Sequence, residues 1–349
     1  SRNRLFRHIT MIRTLLIFML CEIRIGCSLK GSDDSKLVGG YFVDDISVVP
    51  WIVSIRKFFE GEGFSHDCGG SILTPTIVLT ACHCLQGEVD EFEFVAGTID
   101  LEDESTGQVR TAKRILLHPE CVDLDDESTY DVAVAILKKG FKKTKNVRPM
   151  TLLSWDPKEF ESKMAPLLDT KTSQCFVAGW GVVENEGNEA SRFLKGVRMY
   201  PISGPKCRTI YGKRRRKFKY FKFEKHHQLC GVSKHQNESD CVGDSGGPVV
   251  CKGFTVAVVS YGFECGTPTP SVYATLPYFL KWFKKSLMKY GSSSNVRSVN
   301  LAACLRPNVF HALYGVLIFR RLFSHEISGA QFITFFIFSI ALTVTLWPS

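Results

Sequence analysis

Cys241-Val242-Gly243-Asp244-Ser245-Gly246-Gly247-Pro248 is the most informative stretch of this 349-residue chain. A serine hydroxyl is a weak nucleophile until a neighbouring base takes its proton. It also needs donors aimed at an oxygen that becomes negative during acyl transfer. Glycines on both sides of Ser245 let the backbone approach a bound carbonyl closely. In this reading the amides of Gly243 and Ser245 form an oxyanion hole. The loop runs straight into Val249-Val250, so the serine precedes a short apolar strand. A Gly-rich turn without chemistry fits the same letters, so the reading depends on what lies elsewhere.

Two further stretches supply the missing partners. Thr80-Ala81-Cys82-His83-Cys84 follows an apolar run and a Cys68-Gly69-Gly70-Ser71 segment. A histidine there can act as general base, because its pKa lies near neutrality. Tyr130-Asp131-Val132-Ala133-Val134 puts an aspartate at the entry to a buried strand. Such an acid can hold the imidazole tautomer and stabilise its cation. Taken singly, His83 reads more readily as a structural histidine, and Asp131 equally as a strand-edge acid or a catalytic one. Taken with Ser245, in the order His, Asp, Ser, they form the expected catalytic set.

Around these residues the pattern is all-β. Short apolar or alternating runs recur at Trp51–Ile55, Ser71–Leu73, Val78–Thr80, Glu93–Ala96, Val132–Leu137, Cys175–Ala178, Val249–Val250, Val256–Val259 and Val272–Thr275. They are rich in β-branched residues and bounded by Gly, Pro, Asp and Asn. No helix–strand alternation appears, which argues against a parallel sheet and for sandwiches or barrels. The exception is Pro277–Tyr290, where Phe279, Leu280, Phe283, Leu287 and Tyr290 recur at helical spacing among lysines. The spacing predicts an amphipathic helix closing the domain, with Gly291 after its end.

From about residue 37 to residue 290 the chain resembles the chymotrypsin/trypsin family of serine proteases. The matching pieces are Leu37-Val38-Gly39-Gly40, Pro50-Trp51, Cys68-Gly69-Gly70-Ser71, Thr80–Cys84, Asp131, Ala178-Gly179-Trp180-Gly181, the Ser245 loop, Ser260-Tyr261-Gly262 and Pro270-Ser271-Val272-Tyr273. The resemblance implies two packed six-stranded antiparallel β-barrels with a C-terminal helix, and a triad in the cleft between the barrels. It implies an endopeptidase acting on polypeptides through an acyl-enzyme, with no metal and no other cofactor. It also implies a zymogen. Cleavage after Lys36 by a trypsin-like protease would free Leu37, whose ammonium would turn inward and pair with Asp244. An isolated buried carboxylate is costly, so the new charge supplies a drive. Leucine departs from the Ile or Val usual at this position.

The family pairing of cysteines carries over as Cys68–Cys84, Cys175–Cys251, Cys207–Cys230 and Cys241–Cys265. Cys82 and Cys121 are left; either they pair with each other or they are separate thiols, and Cys82 stands where the family has Ala. The match weakens at the primary pocket. Ser239 stands at the floor position where trypsin-like members carry Asp, which resembles the chymotrypsin pattern. Asp240 follows it, Ser271 replaces a wall glycine, and Gly262 keeps the opposite wall open. With Ser260 these are the expected substrate-binding residues, and the expected preference is chymotrypsin-like or unusual.

Thirteen cysteines, with no paired CxxC units, indicate disulfides and an oxidising compartment. Met11 opens a basic and then apolar run ending in small residues at Gly26-Cys27-Ser28, which reads as a signal peptide over 11–27. Residues 1–10 read as upstream sequence, 28–36 as a short propeptide, 37–290 as the peptidase domain, and 291–349 as a linker and hydrophobic tail. The tail stretch Phe332–Trp347 is short for a membrane span, yet it raises membrane attachment or a lipid-anchor signal as options beside plain secretion.

The net charge of +9 is local. Residues 206–225 hold ten basic residues and one acid, Glu224, an excess equal to that of the whole chain. A nucleic-acid role for the whole fold is therefore not supported. The segment reads either as a solvated loop or as a surface for acidic substrates, inhibitors or polyanions. His226, His227 and His235 lack a ligand set for a metal. Two other classes of protein compete with an enzyme: an inactive homologue acting as a binding or regulatory module, and a tethered adhesion protein with a decayed protease domain.

Overall fold

The computed structural model describes residues 40–290, apart from residues 104, 125–126, 170–174, 183–188, 234 and 236–237. The signal-peptide, propeptide and tail expectations, and Lys36 and Leu37, lie outside the described residues. All pairings between the described strands are antiparallel.

The first barrel closes through β2 (Ile52–Phe59), β3 (Gly63–Thr74), β4 (Ile77–Thr80), β9 (Ala133–Leu137), β6 (Gln108–Leu117) and β5 (Phe92–Ala96), in that order. β4 and β9 are buried along their whole lengths, which is why their sequences are continuous apolar runs. Phe92 and Phe94 of β5 point inward at alternate positions, as a strand with one wet face requires.

The second barrel runs β11 (Lys195–Ile202), β10 (Cys175–Gly179), β13 (Pro248–Cys251), β14 (Phe254–Tyr261), β15 (Ser271–Thr275) and β12 (Gln228–Val232). Pairing of Tyr200, Pro201 and Ile202 with Val232, Gly231 and Cys230 closes it. β1 (Tyr41–Phe42) adds to the outside edge of β11. A short hairpin of β7 (Val122–Leu124) and β8 (Glu127–Thr129) leads into Asp131.

Among the described residues three α-helices cover the barrels. α1 (Pro157–Met164) starts at Asp156, whose carboxylate accepts the Glu159 N–H at 2.9 Å. α2 (Gly204–Arg214) and α3 (Leu280–Tyr290) follow. α3 buries Leu280, Phe283 and Leu287, the stripe that its spacing predicts. Among the described residues no helix is long and apolar enough to cross a membrane.

The 206–225 segment departs from the loop reading. It is a folded lobe made of α2 and two 3-10 turns, Arg216–Tyr220 and Phe223–His226. Tyr211, Phe218 and Phe223 are buried at its centre, so its lysines and arginines surround an aromatic core.

Among the described residues five disulfides cross-link the fold: Cys68–Cys84, Cys82–Cys121, Cys175–Cys251, Cys207–Cys230 and Cys241–Cys265.

Candidate active site

β4 ends at Thr80, and the next turn of chain carries His83 at the head of a 3-10 turn. Asp131 arrives from the other direction, between β8 and β9. It enters through Tyr130, which is held at φ 52°, a region that a bulky residue rarely occupies. The Val132 N–H returns to the Tyr130 carbonyl at 2.8 Å, so the chain bends sharply around the aspartate.

The Asp131 carboxylate is fully buried and takes four hydrogen bonds. Oδ1 accepts the N–H groups of Cys82 at 2.7 Å and His83 at 3.1 Å. Oδ2 accepts His83 Nδ1–H at 2.8 Å and the Ser260 hydroxyl at 2.6 Å. Burial works against the carboxylate, but the His83 charge and these hydrogen bonds outweigh it and hold the Asp131 pKa below its ordinary value. Burial likewise works against a charged His83. The Asp131 charge and hydrogen bond, with Asp123 and Asp67 further off, outweigh it and raise the imidazole pKa. The ring keeps 24 % side-chain exposure, so Nε2 has a route to solvent or substrate.

The Ser245 loop is pinned to both barrels. The Ser245 carbonyl accepts the Gly69 N–H of β3 at 2.8 Å, and Gly246 N–H reaches the Val259 carbonyl of β14, also at 2.8 Å. Gly243 and Gly246 sit at φ 95° and 79°, where L side chains are strained. A Cβ on Gly246 would also collide with Thr80 Oγ1 and the Gly69 carbonyl. The Ser245 carbonyl lies 3.5 Å from the sulfur of Cys84, the neighbour of His83. Among the described residues no hydrogen bond joins the Ser245 hydroxyl to the His83 ring.

Asp244 turns away from solvent. Its carboxylate accepts the N–H groups of Gly181 at 2.8 Å and Cys241 at 2.9 Å. Burial raises its pKa to about 7, with the Asp240 charge adding to the effect. Any Cβ at Gly179 or Gly181 would run into this carboxylate, which accounts for both glycines around Trp180.

His66 had no role in the sequence reading. Its Nε2 lies 3.1 Å from the Gly243 carbonyl and must donate, so Nδ1 accepts the Ser54 hydroxyl at 2.8 Å. Burial holds its pKa down at about 4, in keeping with this neutral tautomer. A histidine on an alternating strand gives no sign of such a partner 177 residues away.

Of the expected substrate-binding residues, Ser239, Asp240 and Ser271 line one cavity of about 10 Å³, room for about one water. The Ser239 hydroxyl accepts the Gly266 N–H at 2.7 Å, and Asp240 Oδ1 accepts the Tyr273 hydroxyl at 2.8 Å. Gly262 faces Ser271 across the gap. Ser260 is different: its hydroxyl is buried and engaged on Asp131. Two clusters of metal-ligand type, Cys68-His83-Cys84 and Cys82-Cys121-Asp131, owe their closeness to disulfides, whose sulfurs offer no thiolate.

Two six-stranded antiparallel barrels, with a His–Asp pair and a glycine-flanked serine gathered where they meet, define the chymotrypsin-like fold. The Trypsin family model matches residues 37–283. Trypsin zeta of Drosophila erecta is 31% identical over 259 residues, covering 71% of this chain and 84% of the relative. Human kallikrein-2 is 28% identical over 72% of this chain and 90% of its own length. Mouse granzyme F is 27% identical over 78% of this chain and 97% of its own length. The chain belongs to the trypsin family of serine proteases.

Proposed function

We propose that this chain is a secreted serine endopeptidase made as a zymogen, with His83, Asp131 and Ser245 as its catalytic triad. The observation that carries the reading is the His83 Nδ1–Asp131 Oδ2 hydrogen bond of 2.8 Å, on a carboxylate that also holds the Cys82 and His83 amides. That bond fixes Nδ1 as the protonated nitrogen and leaves Nε2 as the base. Ser245 Oγ attacks the scissile carbonyl while His83 takes its proton. The amides of Gly243 and Ser245 receive the developing oxyanion. The imidazolium then protonates the leaving amine, and water hydrolyses the acyl-enzyme by the reverse sequence.

Activation follows cleavage after Lys36 by a trypsin-like protease, with the Leu37 ammonium turning in to Asp244. The buried carboxylate, with two amide donors and a pKa near 7, supports this. Five disulfides support an oxidising, extracytoplasmic setting. The primary preference is chymotrypsin-like or unusual rather than trypsin-like. The floor position is Ser239, and the nearby Asp240 is tied to the Tyr273 hydroxyl. A peptide-library cleavage profile dominated by Lys and Arg would overturn that preference.

The test of activity is a fluorophosphonate probe applied to the full-length chain before and after cleavage at Lys36. The expected result is covalent labelling that appears on cleavage and is absent from Ser245→Ala. Well-folded, cleaved protein that takes no label would make the chain an inactive homologue with a binding role.

A further inference from the structure

The lobe at residues 204–226 has a construction that catalysis does not use. Cys207–Cys230 fastens α2 to β12, and the buried Tyr211 hydroxyl donates to the Pro270 carbonyl at 2.7 Å. Phe218 and Phe223 stack on each other with centroids 6.0 Å apart and meet Tyr211 edge-on. Arg214 pairs with Glu264 at 2.7 Å and Lys217 with Glu127 at 3.2 Å, which fix the lobe against its surroundings. The lobe's one acid, Glu224, lies against Gly204 at the positive end of α2. Among the described residues the exposed side chains of Lys206, Lys213, Arg216, Lys219, Lys222 and Lys225 form no ion pair.

A packed core thus holds these six like charges on one disulfide-fastened lobe. Self-repulsion of this kind costs stability, and a solvated loop would relieve it by spreading. The arrangement is complementary to an extended anion. Among the described residues these cations line neither the cavity at Leu85 and Leu117 nor the one at Ser239 and Ser271, which argues against a small anion. All but one of the aromatic rings face inward or are half-covered, with Tyr220 alone largely exposed, so no stacking track for bases is presented. The lobe also lacks the exposed apolar face with which a peripheral helix enters a lipid surface.

We propose that this lobe is a docking site for a linear sulfated polysaccharide. Arginine and lysine bind sulfate oxygens by charge-assisted hydrogen bonds, and a repeating anion can engage several at once. The proposal stands on the lobe alone and does not depend on the catalytic reading.

The experiment uses the full-length chain carrying Ser245→Ala, so that binding is read without turnover, and heparin as the probe. The lobe variant is Lys213→Glu/Arg216→Glu/Lys222→Glu. The control makes the same change in charge on α3, by Lys281→Glu/Lys284→Glu/Lys285→Glu. Each lost contact lowers the slope of log affinity against log salt by about one, so the lobe variant loses affinity on the order of 100-fold at 0.15 M salt. The control stays within a few-fold of the parent. A neutral version, Lys213→Ser/Arg216→Ser/Lys222→Ser, gives the same loss if the reversed charges disturb the fold, as read by near-UV circular dichroism. Heparin binding that survives both lobe variants, or that falls equally in the α3 control, overturns the proposal. So does tighter binding of a polyglutamate peptide than of heparin, which would assign the lobe to an acidic protein.

Discussion

Asp131 shows how a single side chain sets the chemistry of the site. A buried carboxylate is tolerated only when its lone pairs are filled, and here two amides, an imidazole and a hydroxyl fill them. The consequence for pH has a definite sign. His83 must be neutral to accept a proton, and its pKa lies above the ordinary 6.5. Activity is therefore lost on the acid side at a higher pH than free imidazole would give. Asp131→Asn removes the charge that holds the pKa up and leaves the burial that pushes it down. The expected outcome is a kcat reduced on the order of 10⁴-fold and an acid limb moved to lower pH. Ser260→Ala moves the limb slightly the other way, to higher pH, because losing its hydroxyl donor leaves the Asp131 charge less neutralised beside His83. A pH profile of kcat/KM for the three proteins checks this, and an unmoved limb in Asp131→Asn would sink it. The three residues proposed as a triad could be singled out in the sequence because a nucleophile, a base and an orienting acid leave few choices of residue type. Ser260 was expected among the substrate-binding residues rather than on Asp131, and His66 had no expected role, since the partner of each lies across the seam and leaves no mark on the local sequence.

Legibility at the scale of elements followed burial. β4 and β9 are enclosed on both faces, so their sequences are unbroken apolar runs and could be read directly. β6, Gln-Val-Arg-Thr-Ala-Lys-Arg-Ile-Leu-Leu, buries only Ala112 among half-buried and exposed positions, carries three basic residues, and resembles a surface segment. β11 carries Pro201, which weakens any strand signal even though the position closes the second barrel. α2 was missed for a related reason: its buried contacts are Cys207 and Tyr211, too few for a helical stripe. One cross-link joins elements in a way that can be measured. Cys82–Cys121 spans 39 residues and ties the turn before His83 to the segment leading into β7. A closed loop of that length restricts the unfolded chain by about 4 kcal/mol in the entropic account. Cys82→Ala/Cys121→Ala should thus lower the unfolding free energy by about 2–4 kcal/mol in urea. Activity should fall less steeply than stability, because Asp131 still holds the Cys82 and His83 backbone. A loss below about 0.5 kcal/mol would show that the link contributes no restraint.

The whole molecule turns on how the two barrels share charge around Asp244. Its loop is pinned to β3 of the first barrel and β14 of the second, and its carboxylate rests on Gly179 and Gly181 at the end of β10. In the unfolded chain this group titrates near 3.9; in the fold burial raises it to about 7. A raised pKa means that the folded state holds the proton more tightly. The group's contribution to stability is thus full below about pH 4 and is lost as pH climbs through 7. In the uncleaved chain Asp244→Asn should therefore gain stability relative to the parent between pH 5 and pH 8. Under the proposed activation, cleavage after Lys36 reverses this trend. An ammonium beside the carboxylate depresses its pKa below the unfolded value, and the contribution is then present at neutral pH and lost as the solution turns acid. In the cleaved protein Asp244→Asn should cost most at pH 8 and least at pH 5. Thermal midpoints of parent and variant, uncleaved and cleaved, at the two pH values read this directly. A pH trend with the same sign in both forms would mean that Asp244 does not receive the new terminus, and that the two barrels are locked by some other contact.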